Sequence, residues 1–222
     1  MLLALDTSTK RMGLALYDGV SVLSETMWTS DMHHTVELAP AIRDTLQRAK
    51  VSLEQVAVIG VARGPGSYTG LRIGLAVAKG LALAQHLDLV AVSSLEIVAQ
   101  GQAVTDAQLV AVLEAGRGRL AVGWYQVGED RWQALGQPAV LTPQELSALI
   151  KVPTVIAGEL SGPVRKVLAR KHKNAMLASP ALSVRRPALL AELAWNRWQN
   201  GDRDDPITLA PDYLAVGEAL PS

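Results

Sequence analysis

The stretch Ala62-Arg63-Gly64-Pro65-Gly66-Ser67-Tyr68-Thr69-Gly70-Leu71-Arg72 sets the terms on which this chain can fold. It joins an apolar run, Val56 to Val61, to a longer one from Leu71 to Ala84. The first run reads as a buried strand and the second as a helix. Gly64, Gly66 and Gly70, with Ser67 and Thr69 as cap candidates, can aim several backbone N–H groups at one point. The helix N-terminus behind them adds partial positive charge there, which is how anions are held. The same residues also suit a tight strand-to-helix turn in which glycine only relieves crowding, and spacing alone leaves the two readings level.

The helix launched by this turn is equally constraining. From Gly70 to Gln85 its only charged residues are Arg72 and Lys79, which are seven apart and share a face. A helix apolar nearly all round must be covered on more than one side. Gly70, Gly74 and Ala78 make a small-residue row at i, i+4 spacing, where a neighbouring backbone can come close. The covering layer is either more of this chain or a partner.

Around this unit the chain reads as strands followed by helices. Leu2 to Leu5 is a short strand ending at Asp6-Thr7-Ser8-Thr9. Met12 to Tyr17 and Val20 to Met27 are two more, joined by Asp18-Gly19. The polar turn at Asp6 to Thr9 has the residue types of a phosphate loop: Asp6 suits a hydrated Mg²⁺, and the three hydroxyls suit phosphate oxygens. It equally suits a plain hairpin turn. A helix follows from about Thr35 to Lys50, with Val36, Ala39, Ile42, Leu46 and Ala49 on the expected core face and Leu38, Ala41 and Thr45 on a second stripe. His33, His34 and Glu37 lie near one another, but the spacing is loose and a third strong ligand is missing, so no metal site is read there.

Asp88 to Val92 is a further strand, and Ser93 and Ser94 open a helix. Gly101 to Asp106 reads as a joint between lobes. Beyond it come strands at Leu109 to Leu113, Arg119 to Gln126 and Trp132 to Leu135, and a helix near Pro143 to Ile150. Then follow a strand at Thr154 to Ala157, a helix near Ser161 to Ala169, a strand near Ala175 to Leu177, and a last helix between Pro187 and Gly201. Tyr213 and Leu214 read as docking the tail. The basic run Arg165, Lys166, Arg170, Lys171 and Lys173 reads as a solvated lobe surface, because no aromatic platform interleaves with it.

Composition narrows the function classes. The chain has 222 residues, 49% of them hydrophobic, enough for one or two real cores. It has no cysteine, which excludes a disulfide framework, a thiol nucleophile and a thiolate metal site. A formal net charge of +0 argues against autonomous, charge-driven nucleic-acid binding. Arg72 and Lys79 interrupt the longest apolar run, so no membrane span is expected. The first residues lack a basic region and a cleavage site, so a cytoplasmic location is the expectation.

Strands in a meander followed by strand–helix–strand units, twice over, resemble the two-lobed actin-like ATPase fold. That is an α/β (ASKHA, ribonuclease H-like) duplicated fold with mixed sheets flanked by helices, expected here as lobes 1–104 and 105–222. More specific are Leu3-Ala4-Leu5-Asp6-Thr7-Ser8-Thr9, His34-Thr35 with Leu38 and Pro40, the glycine-rich block from Arg63 to Gly74, Ala78-Lys79-Gly80-Leu81-Ala82, and Val92-Ser93-Ser94-Leu95-Glu96. Together these closely resemble the TsaB (YeaZ) family, a relative of TsaD. The second lobe resembles the family only loosely. Where many members carry Asp-Ala-Arg, this chain has Glu114-Ala115-Gly116-Arg117, and Ala157-Gly158-Glu159-Leu160-Ser161-Gly162 is a weak glycine turn.

The resemblance implies a non-catalytic subunit of the machinery that makes threonylcarbamoyladenosine beside the anticodon of tRNAs. It implies pairing with the catalytic TsaD subunit and with TsaE, a homodimer when the partner is absent, and only indirect contact with tRNA. TsaD-like proteins carry two metal-binding histidines four apart, where this chain has Ser94 and Val98; Val98 cannot ligate a metal. The chain also lacks His-Glu-x-x-His, which removes metalloprotease chemistry of that type. No catalytic residue and no metal are therefore expected, and ATP only as a ligand shared within the complex. Asp6, Thr7, Ser8, Thr9, Gly64, Gly66 and Ser67 are the candidate phosphate-binding residues. Leu38, Ala41, Thr45, Gly70, Gly74, Ala78 and Leu81 are the candidates for the partner interface. The alternative is an independent ASKHA-type ATPase or phosphotransferase using the 6–9 and 63–72 loops.

Overall fold

Unbroken apolar runs in the first strands dictate a sheet covered on both faces. In β1 (Leu2–Asp6), Leu3 and Leu5 point to one side, and Leu2 and Ala4 to the other; all four are fully buried. A computed structural model, describing residues 1–31, 33–129, 131–170 and 173–214, shows how both faces are filled. β1 pairs antiparallel with β2 (Arg11–Tyr17), which pairs antiparallel with β3 (Val22–Thr29). On its other side β1 pairs parallel with β4 (Val58–Gly64), and β4 pairs parallel with β5 (Asp88–Ser93), giving the order β3-β2-β1-β4-β5.

Two helices cover one face of this sheet: α1 (His34–Ala49) packs on β2 and β3, and α2 (Tyr68–Gln85) on β4 and β5. Leu3, Leu5, Met12, Leu14, Ile59 and Val61 share a core with Leu38 and Ile42 of α1 and Leu75 and Ala78 of α2. The last helix of the chain, Pro187–Gln199, covers the other face by packing on β1, β2 and β4. It comes close because that face has glycine at its centre: a Cβ on Gly13 would lie 2.6 Å from Pro187, and one on Gly60 2.9 Å from Ala194. The segment after this helix runs along β5. Asp204 N–H donates to Leu89 O, Ala91 N–H donates to Asp204 Oδ2 at 2.7 Å, and Lys79 Nζ reaches Leu209 O at 3.0 Å. The open edge of β5 is thereby partly capped.

The first unit is therefore Met1–Ser94 together with Arg186–Asp212; among the described residues the second is Leu95–Arg185 with Tyr213 and Leu214. This division differs from the sequence reading at 104/105, which counts the last helix in the second lobe. The apolar faces of β1, β2 and β4 opposite α1 and α2 draw that helix back to the first sheet.

The second unit repeats the first. It contains α3 (Ser94–Gln100), β6 (Gln108–Glu114), β7 (Leu120–Val127), β8 (Trp132–Ala134), β9 (Ala139–Leu141), α4 (Pro143–Leu149), β10 (Thr154–Glu159), α5 (Gly162–Ala169) and β11 (Ala175–Leu177). The helix Pro187–Gln199 is α6. Strand order is β11-β10-β6-β7-β8, with β9 also on β7. β6, β7, β8, β10 and β11 thus take the places of β1 to β5. β9 is too short to announce itself in the sequence. Leu95, Val98, Leu109, Ala111 and Trp132 fill one face, and Val110, Val112, Leu146, Ile156 and Leu168 the other. Leu214 packs against the first of these clusters, while Tyr213 is 49% exposed. Among the described residues no helix is long and apolar enough to cross a membrane.

Candidate functional site

The Asp6–Thr9 turn and the glycine turn meet within the first unit, and they meet face to face. Asp6, Thr7 and Ser8 are all buried. Ser8 N–H donates to Asp6 Oδ1 at 2.8 Å, an aspartate turn that fixes the loop on its own carboxylate. Ser67 N–H donates to Ser8 O at 2.6 Å, and Thr7 Oγ1 donates to Gly70 O at 2.8 Å. Ser8 Oγ lies 2.7 Å from Ser94 Oγ. Ser67 caps α2, its side chain accepting from Gly70 N–H at 3.3 Å. His34, buried at the start of α1, sets Nε2 3.1 Å from Thr9 O.

The glycines serve this contact. A Cβ on Gly66 would fall 2.2 Å from Ser8 O, one on Gly70 2.2 Å from Thr7 O, and one on Gly74 2.1 Å from Thr7 Oγ1. Several of the loop atoms suited to a phosphate bond one another, and the N–H of Ser67, the N-cap of α2, is taken by Ser8 O. Gly64, buried at the end of β4 with φ +117°, faces Asp212, whose N–H bonds Arg63 O and whose carboxylate pairs with Arg63 Nε at 2.8 Å. The second unit shows the same closure. At the N-cap of α5, Ser161 N–H donates to Glu114 Oε1 at 2.6 Å. The Glu114–Arg119 turn is exposed and folds on itself, Arg119 N–H donating to Gly116 O. Glu159 pairs with buried Arg185 at 3.0 Å.

The row Gly70, Gly74 and Ala78 therefore faces inward, which corrects its reading as a partner surface: α2 needs small residues there to lie on Thr7. Leu38 and Thr45, 1% and 3% exposed, are corrected likewise. Leu38, Ile42 and Thr45 form the inward stripe of α1, whereas Val36, expected in the core, is 66% exposed and Ala39 is exposed too. Of the proposed interface residues only Ala41 and Leu81 reach the surface, both half-buried. The exposed row on α2 is Arg72, Ala76, Gly80 and Ala84, again at i, i+4, and a Cβ on Gly80 would meet nothing. Between α1 and α2 lies an open apolar groove of about 510 Å³, lined by Ile42, Leu46, Val51, Leu53, Val77 and Leu81. The second i, i+4 row was present in the sequence. An all-round apolar helix simply does not say which row faces out.

His33 is exposed and His34 is turned to Thr9. The Glu37 carboxylate accepts the Trp28 indole N–H at 2.8 Å, a bond that holds it below the usual carboxylate range. Among the described residues no three His, Cys, Asp or Glu gather where they could hold a metal ion. Val98 is buried in the second unit's core. Lys171 of the basic run lies outside the described residues.

Two sheets of matching strand order, each with a loop closing on a glycine turn, define a duplicated actin-like α/β protein. A ROK hexokinase from Thermus thermophilus shares the fold, with TM-score 0.52 at 11% identity over 89% of this chain and 99% of that one. The model of the family "TsaD: tRNA N6-adenosine threonylcarbamoyltransferase" matches residues 22–188. The tRNA threonylcarbamoyladenosine biosynthesis protein TsaB of Bacillus subtilis is 31% identical over 225 residues, covering 98% of this chain and 95% of that protein. The structure of YeaZ from Pseudomonas aeruginosa matches with TM-score 0.76 and 30% identity over 95% of this chain and 99% of that one. The chain belongs to the TsaB (YeaZ) family.

Proposed function

We propose that this protein is a non-catalytic subunit in the synthesis of threonylcarbamoyladenosine on tRNA, and that it pairs through the α1–α2 groove with a TsaD protein. The observation that carries the reading is the contrast between the two candidate sites. Several polar atoms of the candidate phosphate loop are engaged within the chain, while the groove beside Val77 and Leu81 is apolar, open and about 510 Å³. An apolar groove rimmed by Arg43 and Gln47 suits a helix of a partner better than a charged nucleotide. The pathway comes from the relatives' names; TsaE, and a homodimer on the same face when TsaD is absent, come from the family resemblance. The closed loops weigh against an independent ATPase, so ATP enters only as a ligand shared within the complex.

Ala76→Arg tests the pairing, since that position is exposed and the substitution leaves the core untouched. The variant is expected to keep its thermal midpoint, to stop co-eluting with TsaD on a sizing column, and to lose tRNA modification in a reconstituted reaction. Co-elution at wild-type strength would sink the interface.

A further inference from the structure

One end of the second unit carries a charge pattern that the pairing role does not use. The chain is neutral overall, yet residues 151–173 hold six basic residues and one acid, Glu159. β10 and β11 run parallel and α5 returns between them, so the C-terminus of α5 lies at the end where both strands begin. Lys151 precedes β10, Arg170 follows α5 and Lys173 precedes β11, so the topology brings all three to that end. Backbone bonding fixes the placement: Asn174 Nδ2 donates to Lys151 O and Thr154 N–H to Asn174 O, each at 2.7 Å. Lys166 sits one turn up α5 from Arg170. All four side chains are exposed, and among the described residues none makes an ion pair or a side-chain hydrogen bond. The one acid of the segment is at the opposite end of β10, committed to Arg185.

Among the described residues, the acids placed at this end are Asp106, beside β6, and Glu129, in the β7–β8 turn. With strands about 4.8 Å apart, Asp106 lies about 5 Å across the sheet from β10 and about 10 Å from β11, and Glu129 about 10 and 14 Å. Beside β11 both therefore lie beyond a physiological Debye length of about 8 Å, while Asp106 is near enough to offset part of the Lys151 charge, so most of the cluster stays unneutralised. Unpaired like charges held together cost self-repulsion, and a polyanion relieves it. The absence of interleaved aromatics argues against stacking on a single strand. It says nothing against a folded RNA, which is held through its phosphates and shape.

We propose that Lys151, Lys166, Arg170 and Lys173 contact the sugar–phosphate backbone of a folded RNA. Resting on the function proposed above, that RNA is the tRNA being modified, touched directly and without sequence discrimination. The contact adds to those of the assembled complex, in keeping with the chain's formal net charge of +0.

The test replaces all four residues with glutamine in the full chain and titrates an unmodified tRNA transcript against the complex with TsaD, at salt from 50 to 200 mM. Each lost phosphate contact lowers the slope of log affinity against log salt by about 0.7 to 0.9. The variant is expected to bind about tenfold or more weakly at low salt, with the slope reduced by about 3. A second variant with arginine at the three lysines should bind like wild type. Unchanged slope and affinity in the glutamine variant would overturn the contact, as would displacement of the tRNA by poly-glutamate at equal charge. The same titration on the chain alone keeps the two claims apart. Loss of pairing with TsaD would fell the proposed function, while the slope difference would still judge this surface.

Discussion

Thr7 and Gly74 show at the scale of single residues how the inward row of α2 meets the Asp6–Thr9 turn. Sequence placed Thr7 as a phosphate donor and Gly74 as a point of partner approach; the two are each other's partner. A Cβ at position 74 would stand 2.1 Å from Thr7 Oγ1 but 3.3 Å from Thr7 Cβ. The clash is therefore chiefly with the hydroxyl, the approach to Cβ being tight but far less so. Gly74→Ala should cost about 1–3 kcal/mol by overpacking. Thr7→Ala should cost about 1 kcal/mol for the lost bond to Gly70 O. In the double variant the methyl occupies the space of the absent hydroxyl, so the two costs should fall short of adding by at least about 0.5 kcal/mol in urea unfolding. Strict additivity would show that α2 does not rest on Thr7.

At the scale of elements, most boundaries were legible and most orientations were not. The strand at Leu2, the cap at Ser67 and the limits Pro187 and Gly201 of α6 follow from local chemistry, which sequence carries directly. The faces of α1 and α2 depend on what covers them. Both helices have apolar residues on two stripes, so periodicity fits either rotation, and the inward stripe of α1 proved to be Leu38, Ile42 and Thr45. The return of α6 to the first sheet had a signal that was passed over: Gly13 and Gly60 in the middle of buried strands, where glycine marks a close approach. The docking of α6 and its following segment on β5 carries a pH dependence. Burial alone would raise the Asp88 carboxyl, but hydrogen bonds from Trp198 Nε1 at 2.6 Å and Arg203 Nε at 2.8 Å, with the guanidinium charge, hold it below the ordinary carboxylate range. A folded pKa below the unfolded one contributes stability that is present above the unfolded value, about 3.9, and is lost as pH falls through the folded one. Stability should therefore fall below about pH 4 with a change in tryptophan emission, and Asp88→Asn should flatten that part of the acid limb. An unchanged acid limb in the variant would place the loss elsewhere.

At the scale of the whole molecule, duplication explains what each half retained and gave up. Each half keeps the strand order of the fold and a helix N-terminus aimed where the nucleotide-binding design puts phosphate. In each half an oxygen of the chain takes the N–H of the N-cap residue there, Ser8 O on Ser67 N–H in the first half and Glu114 Oε1 on Ser161 N–H in the second. The residue types were legible in the sequence, since Asp6, Thr7, Ser8 and the glycines are those of a phosphate loop. Their occupancy was not, because it depends on contacts between segments about 60 residues apart, such as the Thr7–Gly70 bond. If the closure is complete, Asp6 is a structural residue. Asp6→Ala should lower stability by about 1–3 kcal/mol through loss of the bond to Ser8 N–H. It should leave no trace in nucleotide binding, because the wild-type chain would have none to lose. A ligand at 100 times its dissociation constant stabilises the folded state by about 2.7 kcal/mol. Five millimolar Mg-ATP should leave the thermal midpoint of the wild-type chain where it was. A clear rise that Asp6→Ala abolished would reopen the loop as a nucleotide site and return the independent ATPase to consideration.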